Sequence, residues 1–334
     1  MTIKDISRLT GYSVGTVSRV LNNQPNVSEK ARKAIWDVAN AAGFQLNENA
    51  KRLKQQRATA VLAIVKGTSN ELFGTLLEAL QAQMALWPCP LMVDYIDEED
   101  NEVQRGIRLC REKKPMGIFF LGGNVQYFRE AFHLIDVPCV LITGDASELN
   151  FPNLSSVTTD DIATGHLAVS HLINAGHKDI GIIGGWRGTT GITELRLQGC
   201  TKAFQENGLP FDPGKDFYSG RFSFSGGYQA TTALLRSGKP ITAIYSMADV
   251  MAIGAIRALN DRGLKVPEDV SVMGFDGLQM GEYMLPRLST VCQDPRELAR
   301  RSVKILLENI ENAQPPRYET VPVRIQLRES VRKV

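Results

Sequence analysis

Cysteine is scarce and unpaired in this chain. Cys89, Cys110, Cys139, Cys200 and Cys292 are the five among 334 residues, and no two fall at C-x-x-C spacing. The four histidines, His133, His166, His171 and His177, show no ligand spacing with them. That pattern excludes a disulfide scaffold and a zinc module, leaving reduced packing cysteines and no metal. Long hydrophobic runs are missing too: no apolar stretch approaches the ~20 residues that span a bilayer. The amino terminus reads as the start of a helix rather than a signal peptide, so the expectation is a cytoplasmic protein without membrane contact. Neither G-x-G-x-x-G nor G-x-x-x-x-G-K-[ST] occurs, which disfavours a dinucleotide or P-loop site, and no cofactor is expected. Net charge is small as well, 38 Lys and Arg against 36 Asp and Glu.

What charge there is, is segregated. Residues 1–57 hold ten Lys and Arg against four acids, a sum of +6, so the rest of the chain sums to −4. A basic head on an acidic body confines phosphate affinity to one end, as nucleic-acid binding with counterion release requires. Within the head, Thr2 and Asp5 have capping-box spacing, and Ile3, Ile6 and Leu9 recur as one apolar stripe of a first helix. Gly11 supplies a tight turn. Ser13 starts a second helix whose inward face is Val17, Val20 and Leu21, leaving Val14, Gly15, Ser18 and Arg19 for a DNA groove. Arg19 is the base-reading candidate, with Ser13 or Thr16 placed for phosphates. A third helix follows, capped by Ser28, with Ala31, Ile35, Val38, Ala39 and Ala42 inward. Asn47 caps a further segment, to Gln56, in which Leu53 is a lone large apolar residue among Lys51, Arg52, Lys54, Gln55 and Arg57. So polar a segment of about ten residues is too short to hold a helix alone in water.

The run Thr16 to Asn22, the third helix and the Asn47-x-x-Ala50-x-x-Leu53 pattern resemble the lactose-repressor and galactose-repressor family of transcription regulators. The resemblance implies a headpiece over 1–57 whose hinge, about 47–56, orders on operator DNA. Leu53 of each subunit would then wedge into the minor groove, with Lys54 beside it at the phosphates or the groove. A palindromic operator read by a homodimer is implied.

Beyond residue 57 short apolar runs alternate with helical stretches. Expected strands are 60–65, 91–96, 117–121, 139–143, 180–183, 243–246 and 270–275, with a last strand at 321–327. Expected helices are 72–86, 162–175, 194–207, 226–237 and 251–262. Such alternation implies an α/β body of doubly wound parallel sheets covered on both faces, with ligands approaching the turns that follow strand ends. The stretches Gly176-His177 to Gly184, Glu194-Leu195-Arg196 to Gly199, and Tyr245-Ser246-Met247-Ala248-Asp249 through Val266-Pro267 to Asp276 also resemble the family's effector domain, which is similar to periplasmic sugar-binding proteins. That implies two lobes, 58–160 with 289–320 and 161–288 with 321–334, and a sugar-like effector between them. The resemblance assigns Arg196 as a clamp for effector oxygens, Asp276 as a cleft acid, Phe222 as a stacking aromatic, and Asn70 and Phe73 to the cleft mouth. Asp160 either binds ligand or caps the helix starting at Ile162, the cap being preferred. Where many relatives carry Asn before the Asp of the pattern, this chain has Met247-Ala248-Asp249, and Asp249 is expected to cap the next helix. With no leucine heptads after the last strand, a dimer is expected rather than a coiled-coil tetramer. The rival reading is a sugar-processing α/β enzyme with a DNA-binding head, for which no nucleophile elbow in the body and no phosphate loop speak.

Overall fold

A computed structural model describes residues 3–21, 27–41, 60–67, 70–188 and 191–334, which divide into two compact units, 1–57 and 58–334. The first unit contains helices α1 (Ile3–Thr10), α2 (Val14–Leu21) and α3 (Glu29–Ala41). Ile6, Val17, Val20, Leu21, Ile35 and Ala39 bury against one another in one small core, with Tyr12, Trp36 and Val38 packed on it. Burying a side chain of Ile35's size contributes about 1.5–3 kcal/mol, a large share of what so few residues can supply. Gly11, at φ +73°, takes the left-handed turn that a side chain would strain. Ser13 Oγ accepts from Thr16 N at 3.1 Å and Ser28 Oγ from Ala31 N at 3.3 Å, so both helix starts are capped by serine. Leu9 corrects the expected stripe: it is 63% exposed. Each step of three residues falls about 60° short of a full turn, so a second step carries the side chain past the buried face. Thr2, Asn22, Ala42 and the hinge candidates Asn47, Ala50, Leu53 and Lys54 lie outside the described residues.

The second unit is built on two six-stranded sheets. The first lobe runs β1 (Val61–Lys66), α4 (Glu71–Met84), β2 (Leu91–Ile96), α5 (Glu102–Lys113), β3 (Gly117–Leu121), α6 (Val125–Ala131), β4 (Cys139–Ile142) and β5 (Leu154–Thr158). The second runs α7 (Asp161–Asn174), β6 (Ile180–Gly184), α8 (Gly191–Glu206), β7 (Phe217–Ser219), α9 (Phe224–Arg236), β8 (Ala243–Ser246), α10 (Asp249–Asn260), β9 (Ser271–Asp276) and β10 (Ser289–Cys292). Helix α11 (Pro295–Asn312) and β11 (Tyr318–Thr320) return to the first lobe, and β12 (Arg324–Gln326) ends in the second. Strand orders are β11-β5-β4-β3-β1-β2 and β12-β10-β9-β8-β6-β7, every pairing parallel except β10 with β12. Each sheet has an apolar core on both faces, so its central strands are buried throughout.

Three features depart from expectation. Strand β10 pairs with β9, so Ser289–Cys292 belongs to the second lobe and the second crossing falls after Cys292, not near 288. The final strand is three residues long, not seven, and antiparallel. Asp249 does not cap α10: the helix has no side-chain cap, and the carboxylate turns inward. Its Oδ2 accepts from Gly277 N at 2.9 Å and Leu278 N at 2.7 Å, and its Oδ1 accepts from Thr290 Oγ1 at 2.7 Å. Two donors in one loop outcompete the single amide a cap would satisfy, and the loop held this way is the one leaving β9.

Helices α7 and α8 cross at two glycines. A Cβ on Gly165 would lie 2.1 Å from Arg196 O, and one on Gly199 2.0 Å from Ile162 O. Only hydrogen at both places lets the backbones approach so closely, and this crossing sets where Arg196 projects.

Candidate functional site

The second helix of the first unit presents two different faces. Val17, Val20 and Leu21 are buried; Val14, Gly15 and Arg19 are exposed, with Thr16 and Ser18 half-buried beside them. Ser13 and Thr16 hydroxyls lie 2.9 Å apart at the helix start. A one-turn surface of small groups flanked by an arginine fits a major groove, where a bulky side chain would hold the helix off the base edges.

In the second unit the ends of β1, β3 and β4 face the ends of β8, β9 and β10 across a cleft. The first lobe contributes Lys66, Asn70, Phe73, Glu98 and Thr143, and the second Ile192, Arg196, Phe222, Met247, Ala248, Asp276 and Gln293. Asn70 Oδ1 accepts from Leu72 N at 3.0 Å and caps α4, which fixes the start of that helix at the mouth. Phe222 lies against Gly185, where a Cβ would sit 2.4 Å from its ring, so that glycine makes room for the aromatic.

Both cations on the cleft wall are held. Arg196 is buried with its guanidinium carbon 3.8 Å from the centroid of the Phe275 ring; Nε donates to Asp161 Oδ1 at 2.8 Å and Nη1 to Met247 O at 2.7 Å. Burial pushes the Asp161 carboxyl upward and the guanidinium beside it pulls it back. Lys66 Nζ donates to the buried Glu102 at 2.5 Å and lies 4.9 Å from the Tyr127 ring centroid. Glu102 in turn accepts from Asn124 N. Its pKa is raised by burial and opposed by Lys66.

Asp276 is only half satisfied. Oδ1 accepts from Gln293 Nε2 at 2.9 Å, but Oδ2 has no partner although it is buried. Burial, followed by the nearby Asp249 charge, pushes its pKa up to about 8. Its backbone sits at φ +126°, and Thr143 on the opposite wall sits at φ +68° with an unpartnered hydroxyl. Such backbone conformations cost roughly 1–3 kcal/mol for a residue with a side chain and cluster at functional sites. At the cleft rim Arg221 of the second lobe donates to Asp97 Oδ1 at 2.5 Å and lies 3.7 Å from Glu98, both of the first lobe.

Five of the six residues expected around an effector thus meet in one cleft: Asn70, Phe73, Arg196, Phe222 and Asp276. Asp160 does not join them. Its Oδ1 accepts from Ala163 N at 2.9 Å, capping α7, and it faces a separate surface hollow. Lys66, Thr143 and Gln293 were not anticipated; their common signal is position, each at or just past the carboxyl end of a strand, where open α/β sheets receive ligands.

Residues 2–47 match the family described as bacterial regulatory proteins, lacI family, and residues 169–331 match the periplasmic binding protein-like domain. The HTH-type transcriptional regulator MalR of Clostridium butyricum is 34% identical over 319 residues, covering 93% of either chain. The chain belongs to the LacI family. Its fold is shared by the transcriptional regulator CelR in complex with cellobiose (TM-score 0.73, 24% identity) and by the lac repressor dimer bound to operator and the anti-inducer ONPF (0.72, 23%). Each alignment covers 99% of both chains. This LacI-family chain is therefore a helix-turn-helix transcriptional regulator with a two-lobed α/β body. Among the described residues no helix is long and apolar enough to cross a membrane.

Proposed function

We propose that this regulator is a cytoplasmic repressor of carbohydrate-utilisation genes, switched by a sugar held between its lobes. The observation that carries the reading is Asp276: a strained, buried acid with an unpartnered oxygen on the wall of an interlobe cleft fits a site awaiting hydrogen-bond donors. A sugar offers such donors from its hydroxyls and an apolar face for Phe222 and Phe73. In this reading Arg196, held by Asp161 and Met247 O, forms the wall that a ligand oxygen meets, while Asn70 fixes the start of α4 at the mouth. Asp160 has no part in it.

Two headpieces of a homodimer read a palindrome, with Val14, Gly15, Ser18 and Arg19 toward the bases, Ser13 or Thr16 toward phosphates, and Asn22 among the DNA-binding residues. Asn47, Ala50, Leu53 and Lys54 belong to a hinge that orders on the duplex, Leu53 kinking its central step. Effector binding favours one lobe arrangement, and operator affinity changes only by the difference in effector affinity between arrangements.

DNase footprinting upstream of the regulator's own gene, at fixed salt with and without free sugars, tests the reading. A protected palindrome released by one sugar is expected, and Arg19→Ala should lose protection over the half-sites. Absence of any protected palindrome, or chemical turnover of the sugar by the purified protein, would overturn it.

A further inference from the structure

The charge arrangement of the cleft narrows what it can take. Lys66 and Arg196, the two cations on its walls, are each buried and each already bonded to a buried carboxylate, Glu102 and Asp161. The atoms left over are of another kind: Asp276 Oδ2, Gln293 Oε1 and the Thr143 hydroxyl are buried, unpartnered and line the same cleft. Two of the three only accept, once Asp276 is ionised. Glu98, half-buried at the rim, adds another carboxylate.

Resting on the sugar-sensing reading, we propose that the cleft is selective for an uncharged, hydroxyl-rich ligand and rejects the phosphorylated or carboxylated form of the same sugar. An anion would have to displace Glu102 or Asp161 from its cation, leaving a buried carboxylate without its partner, or else lie against Asp276 with nothing to neutralise it. Either alternative carries the cost of a buried unpaired charge. A hydroxyl meets no such cost: it donates to Asp276 Oδ2 or Gln293 Oε1 and accepts from Thr143. The raised pKa of Asp276 is consistent with this, since a carboxyl that ionises reluctantly when alone gains most from donors.

The test uses the full chain and calorimetric titration with ribose, glucose, galactose, maltose, cellobiose and sucrose, alongside ribose 5-phosphate, glucose 6-phosphate and glucuronate. At least one free sugar should bind, with every charged probe at least about a hundredfold weaker. A phosphate ester binding as well as its parent sugar would overturn the charge selection and leave sugar sensing intact. No binding by any probe would overturn the sugar reading and this inference with it. Glu102→Gln separates the cause: with Lys66 released, glucose 6-phosphate or inorganic phosphate should raise the thermal midpoint of the variant and not of the parent. Should that variant fail to fold, Asp161→Asn, which releases Arg196, is read the same way. A folded variant indifferent to both anions would mean that the paired cations are not what excludes charge.

Discussion

Asp276 has one oxygen in a hydrogen bond and one in none, and that imbalance makes its ionisation a reporter of occupancy. The charged groups around it are Asp249, which opposes ionisation, and Arg196, which favours it, with the Tyr245 hydroxyl nearby. A folded-state pKa raised to about 8 means the empty protein holds a proton that the unfolded chain gives up near pH 4. This group's contribution to stability is therefore complete at low pH and is lost as pH rises through that range. Ligand hydroxyls favour the ionised form, so effector affinity should rise from pH 6 to 8 and level above it, with a proton released on binding. Titration in buffers of differing ionisation enthalpy reads that proton. Asp276→Asn should flatten the profile and weaken the effector roughly 10- to 100-fold, the range for a charge-assisted hydrogen bond. The family resemblance carried part of this: it pointed to Asn70, Phe73, Arg196, Phe222 and Asp276, but not to the Lys66–Glu102 pair. Glu102 sits 36 residues further on, at the start of α5, and although Asn101 signals that helix as its cap, nothing local says that the two meet.

Among the elements, the glycine crossing of α7 and α8 is the most exacting. Gly165→Ala or Gly199→Ala would drive a methyl into the facing backbone, so the helices must separate and Arg196 moves off Asp161. Each variant should lose stability by about 1–3 kcal/mol as an overpacked site. Each should also lose effector affinity, measured by calorimetry, while Gly238→Ala, at an exposed turn after α9 with nothing near its Cβ, should cost stability through its φ of +71° and leave affinity unchanged. Central strands announced themselves through unbroken apolar runs, and their expected bounds lie within a residue or two of those observed. Strand β5, Leu154–Thr158, gave no such run because two serines sit in it; both are buried and hydrogen-bonded to neighbouring chain, which sequence periodicity does not convey. Helix α11 is the opposite case. Asp294 as cap, Pro295 in the first turn and buried Leu298, Ile305 and Leu306 are ordinary start and stripe signals, and they were there to be read.

For the whole molecule, the rim contact of Arg221 with Asp97 and Glu98 joins the two lobes across the cleft mouth. Arg221 and Asp97 are exposed, although Glu98 is half-buried, so solvent screening keeps the contact weak. Arg221→Ala should lower effector affinity at most about fivefold, chiefly by faster dissociation, as stopped-flow measurement would show. A much larger loss would make the rim part of the binding site itself. The weakness suits a switch, because a strong clasp would hold one lobe arrangement whether or not the cleft were filled.

The chain passes between the lobes three times, after β5, β10 and β11, so neither lobe is a continuous stretch of polypeptide. During synthesis the first lobe lacks α11, which supplies Leu298, Val303, Ile305 and Leu306 to one face of its sheet, until most of the second lobe has already left the ribosome. A nascent chain halted at residue 160 would expose to water the part of that face that α4 leaves to α11. The half translated first is thus among the last to be finished, and the interval between is when a chaperone has most to cover.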